Sequence, residues 1–405
     1  MRCVACASEA VTERPERTAR GYRRFRCRAC GKRSNKRTRR TGFSVTGRAS
    51  GNMPPLIGSL RSGAVLRAAD PDAERSPPMR IHIQSQPDDP MREITPQEWR
   101  EAVARAGEAG RGHEVTFGST PADLAAAIGE AEALITGDTV VLGLDPAAAP
   151  RLRLVFLTHA GVDALVPEAA RLPPHVTLLN NSGAHGDKAG EYAAMAVLML
   201  ANHLPRFIGQ QRREVWDRRF ASVLAGRRAT VVGLGALGGS AARRLRWFDV
   251  RVTGVRTRAE PHPDCERVVA AGDLDAVLPE TEFLVLACPL TPLTRGLLDR
   301  RRVGLLPRGA GVVNIGRGEL VEQEALLDAL DEGRLSGAVL DVFVPEPVPP
   351  GHRLWRTPNL VMTPHMSAGD PRTYNLRSLV IFLENLRALE EGRRPPNLVD
   401  LERGY

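Results

Sequence analysis

From Met79 onward the apolar residues come in short runs separated by stretches with helical spacing. Ile81-His-Ile, Glu114-Val-Thr-Phe, Ala133-Leu-Ile-Thr and Leu154-Val-Phe-Leu have strand length, and Pro96 to Ala106 and Pro121 to Ala131 between them read as helices. That alternation predicts a parallel sheet covered on both sides. It resumes further on, with strands expected at Val231-Val232, Val250 to Val255, the run Phe283-Leu-Val-Leu-Ala-Cys288-Pro-Leu-Thr, Ala310 to Ile315, Ser336 to Val342 and Leu360 to Thr363. Between the two series, after a run at Val176 to Leu179, lies an expected helix from Lys188 to Leu204 with Ala, Met and Leu over much of its surface. A helix apolar nearly all round is buried, either in the chain's own core or between two subunits.

The second series opens on a glycine turn. Gly233, Gly235 and Gly238 follow the apolar pair Val231-Val232 with dinucleotide-fingerprint spacing, and a helical pattern (Leu237, Ala241, Leu245, Phe248) follows them. Gly233 permits a tight turn, Gly235 leaves room for a pyrophosphate, and Gly238 lets the helix pack close to the strand. The N–H groups at the helix start, around Ala236 and Leu237, would face the anion. Glycine turns without a nucleotide are common. Here, however, strand, turn, helix and second strand fit one unit of about thirty residues.

The end of the second strand bears on cofactor choice. An NAD site usually has an acidic residue there, whereas this chain has Arg256, Thr257 and Arg258. A guanidinium can fork onto a 2′-phosphate, so NADP is expected over NAD. Two arginines on a solvated strand end are the alternative.

Composition narrows the class. The chain has 405 residues, 42% hydrophobic and 25% charged, enough for two or more cores. Its longest central apolar stretch, Ala193 to Ala201, is well short of the roughly twenty residues that span a bilayer, and the arginine-rich start lacks a signal peptide's apolar region. A cytoplasmic protein without membrane contact is expected. The net charge of +9 resides in residues 1 to 48, which carry +12, while the chain beyond residue 78 carries −3. Nucleic acid is therefore a candidate partner only for the first forty-odd residues.

Those residues also hold four of the six cysteines. Cys3-x2-Cys6 and Cys27-x2-Cys30 could place four thiolates around a structural zinc, whose binding would have to drive folding of so small a segment. A redox or incidental role is the alternative. The run Tyr22-Arg-Arg-Phe-Arg-Cys-Arg-Ala-Cys-Gly-Lys-Arg-Ser resembles the zinc ribbon of insertion-sequence transposases over residues 1–42. Residues 43–78, rich in Gly, Pro, Ser and Ala, read as a disordered linker. The part from about Met79 is expected to be complete in itself, the upstream part being a fused module or a mis-assigned start.

Several strand ends carry candidate chemistry. Leu154 to Leu157 leads into Thr158-His-Ala-Gly-Val-Asp163, where the backbone N–H groups of Ala160 and Gly161 could receive an acid substrate. A plain connection is an equal reading. Arg317, Glu346 and His365 each follow a strand of the second series, so in a parallel sheet they share one rim. Arg317 has a fork for a carboxylate, His365 could give a proton to a carbonyl oxygen, and Glu346 could fix the imidazole tautomer.

At this point the residues resemble the D-isomer-specific 2-hydroxyacid dehydrogenases. The match runs over about residues 79–400, through GLGALG, PLTPLTRGLL, NIGRGELVEQEALLDAL, LSGAVLDVFVPEPVP and LWRTPNLVMTPHMSAG. The resemblance implies an α/β fold of two Rossmann-type, doubly wound parallel-sheet domains flanking a cleft. The substrate domain would comprise 79–182 and 366–405, with a return helix from Tyr374 to Glu391, and the NAD(P)-binding domain 183–365. It implies that Arg317 orients the substrate, that Glu346 pairs with His365, which is the acid or base, and that Pro289 and Asp341 contact the cofactor, Asp341 at the nicotinamide carboxamide. The AGVD turn and the arginines look most like NADPH-dependent glyoxylate/hydroxypyruvate reductases. The implied activity is hydride transfer between NADPH (or NADH) and a small 2-oxo acid to give a D-2-hydroxy acid; a homodimer is expected. Glu346 stands where formate-oxidising relatives have Gln, and no regulatory domain is expected after residue 405. His159 and His185 are unusual near the substrate loop and leave substrate size open. A different class of reading is a dinucleotide-responsive, corepressor-like protein that contacts DNA through the ribbon.

Overall fold

Two parallel sheets organise the chain from residue 78 in the computed structural model. The structure describes residues 78–402 except 87–92, 164 and 166–171; before residue 78 it describes only the backbone of short strands. Of these, Val11–Arg17, Arg23–Cys27 and Arg33–Asn35 form an antiparallel sheet. The side chains of Cys3, Cys6, Cys27 and Cys30 lie outside the described residues, as does the expected linker 43–78 apart from Pro78 and the backbone of Phe43–Ser44, which is a strand rather than linker. Among the described residues no set of His, Cys, Asp or Glu is arranged to hold a metal, and no helix is long and apolar enough to cross a membrane.

The first sheet has five parallel strands in the order Thr177–Leu179, Leu154–Leu157, Ala133–Thr136, Arg80–Gln84, Glu114–Gly118. Successive side chains of a strand point to opposite faces, so each strand feeds two cores. Ile81, Ile83, Ile135 and Phe156 pack with Trp99 and with Phe382, Leu383 and Leu386, whereas Leu134, Val155, Leu157 and Leu178 pack with Ile128, Val141 and Leu152. The C-terminal helix, Tyr374–Glu390, thus belongs to the core of the first sheet. Pro96–Ala106 and Pro121–Ala127 are its other main helices, each starting at a Thr capping box with Pro in the first turn.

The second sheet has seven parallel strands in the order Arg267–Ala270, Arg251–Arg256, Arg228–Val232, Phe283–Leu286, Gly311–Asn314, Gly337–Leu340, Leu360–Met362. Leu284, Leu286, Val312 and Leu340 enter one core, while Phe283, Val285, Val313 and Val339 enter the other. The near-continuous apolar strands follow from burial on both faces. Arg267–Ala270, an edge strand, was missed by the sequence pattern because its residues are only partly buried.

One helix differs from expectation. The apolar helix runs Gly186–Ala201 and stops, and a separate helix, Leu204–Arg212, begins after a left-handed residue, His203, with φ 56°. Pro205 in the first turn of the second helix explains the break: it has no N–H to continue the ladder. Phe248 likewise falls beyond the helix Ala236–Arg246 and is partly exposed.

The first of these helices links the two sheets. Asp187, in its first turn, accepts a bond from Arg244 at 3.0 Å and from Arg377 of the C-terminal helix at 2.8 Å. Those two arginines hold the Asp187 carboxyl below its ordinary range, Arg244 more strongly.

Candidate functional site

The strand order of the second sheet reverses between Arg228–Val232 and Phe283–Leu286, the crevice where open α/β sheets receive nucleotides. Gly233 turns the chain there with φ 89°, and a β-carbon on it would lie 2.6 Å from Cα of Cys288. A β-carbon on Gly238 would lie 1.7 Å from the Gly233 carbonyl oxygen, so helix and turn are in direct contact. Gly235 is exposed, and a β-carbon there would meet nothing within 4 Å. The helix that starts at Ala236 has no side-chain cap, so the first-turn N–H groups around Ala236 and Leu237 open onto that space. This cradle fits a pyrophosphate. Pro289 stands exposed beside the turn, its carbonyl accepting Thr294 Oγ1 at 2.7 Å.

At the end of Arg251–Arg256, Thr257 and Arg258 are exposed. Arg256 Nη2 is 3.4 Å from Glu260, and Arg258 Nη1 is 3.9 Å from the same carboxylate. Cys265 and Cys288 are thiols, each pushed up to about 11, chiefly by burial, and neither is poised as a nucleophile.

The other strand ends hold the acid/base set. Strands Gly311–Asn314, Gly337–Leu340 and Leu360–Met362 are neighbours in register, Asn314 beside Leu340 and Leu340 beside Met362. Their following loops therefore meet on one rim. The backbone of Gly318 lies against Phe343, whose oxygen would be 2.2 Å from a β-carbon at 318. The Phe343 N–H donates to Glu346 Oε1 at 2.7 Å, and Glu346 Oε2 is 2.9 Å from Nδ1 of His365. Glu346 is thus oriented by backbone before it meets the imidazole, and Nε2 is left to face outward. The His365 side chain is 52% exposed.

Backbone conformation sets where the ring stands. His365 has φ 49°, a left-handed conformation unusual for a non-glycine residue, held by bonds from its N–H to the carbonyls of Asp341 (2.9 Å) and Thr363 (3.0 Å). The Asp341 carboxylate is fully buried and accepts Thr363 Oγ1 at 2.5 Å, Met366 N at 2.9 Å and Ser367 N at 2.8 Å. Those bonds wrap the His365 loop around one anion. Tyr192 closes the chain, its hydroxyl 2.5 Å from Thr363 Oγ1, and burial raises its pKa.

Arg317 reaches the first sheet. Its Nε donates to Asp163 Oδ1 at 3.1 Å and Oδ2 at 3.3 Å, its Nη2 is 3.0 Å from Oδ1, and its Nη1 donates to the Gly316 carbonyl at 2.9 Å. Asp163 ends the Thr158–Asp163 turn, so the C-terminal rims of the two sheets face each other. The guanidinium lies over Gly161, where a β-carbon would be 1.7 Å from Nη2. Ala160 and Gly161 are half-buried beside it, and the Ala160 carbonyl accepts Asn180 Nδ2 at 3.2 Å. His159 accepts Asp138 N–H at Nε2 (3.1 Å), so Nδ1 carries the proton and donates to the Gly161 carbonyl at 2.7 Å. His185 packs on Tyr374 with ring centroids 5.0 Å apart and bonds the Ala368 carbonyl at 3.0 Å.

The structure therefore brings Arg317, Glu346, His365, Asp341, Ala160 and Gly161 to facing rims, and the glycine turn with Arg256 to Arg258 to the nucleotide crevice. Sequence reasoning missed Asp163, Thr363 and Tyr192. Two hydroxyls and a carboxylate whose partners lie far off in sequence gave no signal.

Two parallel-sheet domains, a nucleotide turn at the strand-order reversal and a carboxylate-oriented histidine on the same rim as an arginine define a dinucleotide-dependent oxidoreductase. The chain matches the D-isomer specific 2-hydroxyacid dehydrogenase NAD-binding domain over residues 194–367. It is 32% identical to a glyoxylate reductase of Korarchaeum cryptofilum over 63% of this chain and 78% of that protein, and 31% identical to glyoxylate/hydroxypyruvate reductase A of Salmonella typhi over 64% and 83%. Among solved structures it resembles a D-isomer specific 2-hydroxyacid dehydrogenase of Xanthobacter autotrophicus in complex with NADPH, with TM-score 0.67, 29% identity and coverage of 81% of this chain and 100% of that one. The NADPH-dependent glyoxylate/hydroxypyruvate reductase of Sinorhizobium meliloti, in complex with NADP and sulfate, gives TM-score 0.66, 27% identity and coverage of 81% and 100%. The chain belongs to the D-isomer specific 2-hydroxyacid dehydrogenase family and is an NAD(P)-dependent oxidoreductase.

Proposed function

We propose that the protein reduces a small 2-oxo acid of the glyoxylate or hydroxypyruvate type to its D-2-hydroxy acid with NADPH. The observation that carries this reading is the pair Glu346–His365 on the rim that also carries Arg317 and that faces Gly161. The bound nicotinamide would supply a hydride for the carbonyl carbon. Arg317 receives the substrate carboxylate on its open end-on fork, with the N–H groups of Ala160 and Gly161 beside it. Nε2 of His365 gives the proton to the carbonyl oxygen as negative charge develops there, while the Glu346 carboxylate keeps Nδ1 as the other donor. Three of the acceptor sites of Asp341 serve the His365 loop, and the remaining one is assigned to the nicotinamide carboxamide.

Gly233, Gly235 and Gly238, with Ala236, Leu237 and Pro289, would hold the dinucleotide, and Arg256, Thr257 and Arg258 its 2′-phosphate. The complexes with NADPH and NADP formed by two similar proteins support that choice. A panel of 2-oxo acids assayed with NADPH and NADH tests the reading. NADPH-dependent reduction of a two- or three-carbon oxo acid is expected, and its absence across the panel refutes it. An intact acid/base pair favours turnover over a dinucleotide-responsive binding role.

We assign a homodimer on the exposed apolar group Val215, Trp216, Phe220 and Val223, in which Trp216 is 92% and Phe220 87% exposed. A monomer in analytical ultracentrifugation at micromolar concentration would remove that assignment. The four-cysteine spacing alone supports a structural zinc at Cys3, Cys6, Cys27 and Cys30. Metal analysis of the intact chain, with one equivalent of zinc expected, decides it.

A further inference from the structure

The Arg317 guanidinium has two faces a carboxylate can use: the side-on pair, Nε–H with one N–H of Nη2, and the end-on pair of Nη1 and Nη2. Asp163 occupies the side-on pair with contacts of 3.0 to 3.3 Å, although 154 residues separate the two in sequence. The Gly316 carbonyl takes one N–H of Nη1 at 2.9 Å. With both ends of the group held, rotation about the side-chain bonds is stopped. The guanidinium packs directly on Gly161, where a β-carbon would lie 1.7 Å from Nη2, and the side chain keeps 29% exposure; its partners among the described residues are Asp163 and the Gly316 carbonyl, which leaves the outer N–H groups of the end-on pair for a ligand.

The turn that carries Asp163 is itself fixed. His159 holds the Gly161 carbonyl through Nδ1, and Asp138 N–H fixes the other ring nitrogen. Tyr374, on the C-terminal helix, donates its hydroxyl to the Thr158 carbonyl. Asp163 thus transmits the position of the first domain's turn to an arginine of the second.

We propose that Asp163 is a positioning residue for the reaction: it claims the side-on fork so that only the end-on fork can receive the substrate carboxylate. This inference rests on the proposed function. Its consequences for rate and affinity differ in sign. The Asp163 charge offsets part of the guanidinium's attraction for an anion, so its removal does not weaken substrate binding. It does release the arginine, and a misoriented carboxylate turns the carbonyl away from His365. An error of about 1 Å in such placement lowers turnover by about a hundredfold.

The test is steady-state reduction by the full-length Asp163→Asn variant, which is isosteric and retains shape. The expected result is a kcat lower by about 10- to 100-fold, with KM for the oxo acid equal to or below that of the wild type and an unchanged Kd for NADPH. A structural role alone would instead weaken NADPH binding and lower Tm. In an Arg317→Lys background, where the ammonium has no side-on fork, Asp163→Asn should add less than a twofold loss. A variant kcat within threefold of the wild type, or multiplicative losses in the double variant, overturns the proposal. Absence of wild-type turnover refutes the proposed function instead, so the two failures are read from different comparisons.

Discussion

Glu346 holds His365 from behind: Oε2 is 2.9 Å from Nδ1, and the opposite oxygen accepts the Phe343 N–H at 2.7 Å. The carboxylate therefore acts only through the imidazole. Replacing Glu346 with Ala should lower kcat/KM by about 10- to 100-fold, the usual loss when the support of a working histidine is removed. His365→Ala should lower it by about 10²- to 10⁴-fold, and adding Glu346→Ala to that variant should change little. Independent losses in the double variant, measured with NADPH and the best oxo acid, would separate the two residues.

Asp341 anchors the loop that presents His365. Its substitution by Ala leaves two backbone N–H groups and the Thr363 hydroxyl without their acceptor, at about 1–3 kcal/mol for each group that water does not reach. Chemical denaturation should show a loss of several kcal/mol, and activity should fall with it. Tyr192→Phe removes only the outer hydroxyl of the chain, and a loss of about 1 kcal/mol is expected. A Tyr192→Phe effect equal to that of Asp341→Ala would contradict this order.

Asp187 joins Arg244 and Arg377 at the start of the linking helix. Its carboxyl is lowered from 3.8, so its contribution is present at and above that value and is lost as pH falls through the lowered one. The side chain is half exposed, and screening limits the contribution to about 1 kcal/mol. Asp187→Asn should be less stable than wild type at pH 7, and the difference should shrink as pH drops below 4. A difference that grows toward acid would reverse the assignment.

Glu260 stands between the two arginines assigned to the 2′-phosphate. A phosphate must displace that pair, and exposed pairs are worth up to about 1 kcal/mol. Glu260→Gln should therefore raise the ratio of kcat/KM for NADPH over NADH by about two- to fivefold, while Arg256→Ala should lower it. If Arg256→Ala leaves the ratio unchanged, the arginines do not read the phosphate.

The local pattern made much of this legible. Arg317, Glu346 and His365 each follow an apolar run, and parallel strands force such ends onto one rim. The glycine turn carried its own explanation, because strand, turn and helix are contiguous. Contacts between distant segments had no such signal. Asp163 sits 154 residues from its partner, and Tyr192 is separated from Thr363 by 171. The helix break at His203 was obscured because the helical spacing of apolar positions Leu200, Leu204 and Phe207 continues across it, although Pro205 marked it. Glu260 read as one more surface charge, since its meaning depends on how the loop after Arg256 folds back.

The three fingerprint glycines should separate folding from cofactor binding. Gly238→Ala places a β-carbon 1.7 Å from the Gly233 oxygen, an overlap that only movement of the helix can relieve. Overpacking of this kind costs about 1–3 kcal/mol, so Tm should fall and NADPH affinity with it. Gly233→Ala adds a left-handed φ of 89° to a contact of 2.6 Å with Cys288, and should be worse. At Gly235 a methyl meets no protein atom, and Ala in a non-glycine backbone conformation (φ −72°) is tolerated. Gly235→Ala should therefore keep the wild-type Tm without cofactor while losing about tenfold or more in NADPH affinity, since the methyl enters the space assigned to the pyrophosphate. Thermal melts with and without NADPH distinguish the three variants. Undiminished NADPH stabilisation of Gly235→Ala would place the pyrophosphate elsewhere.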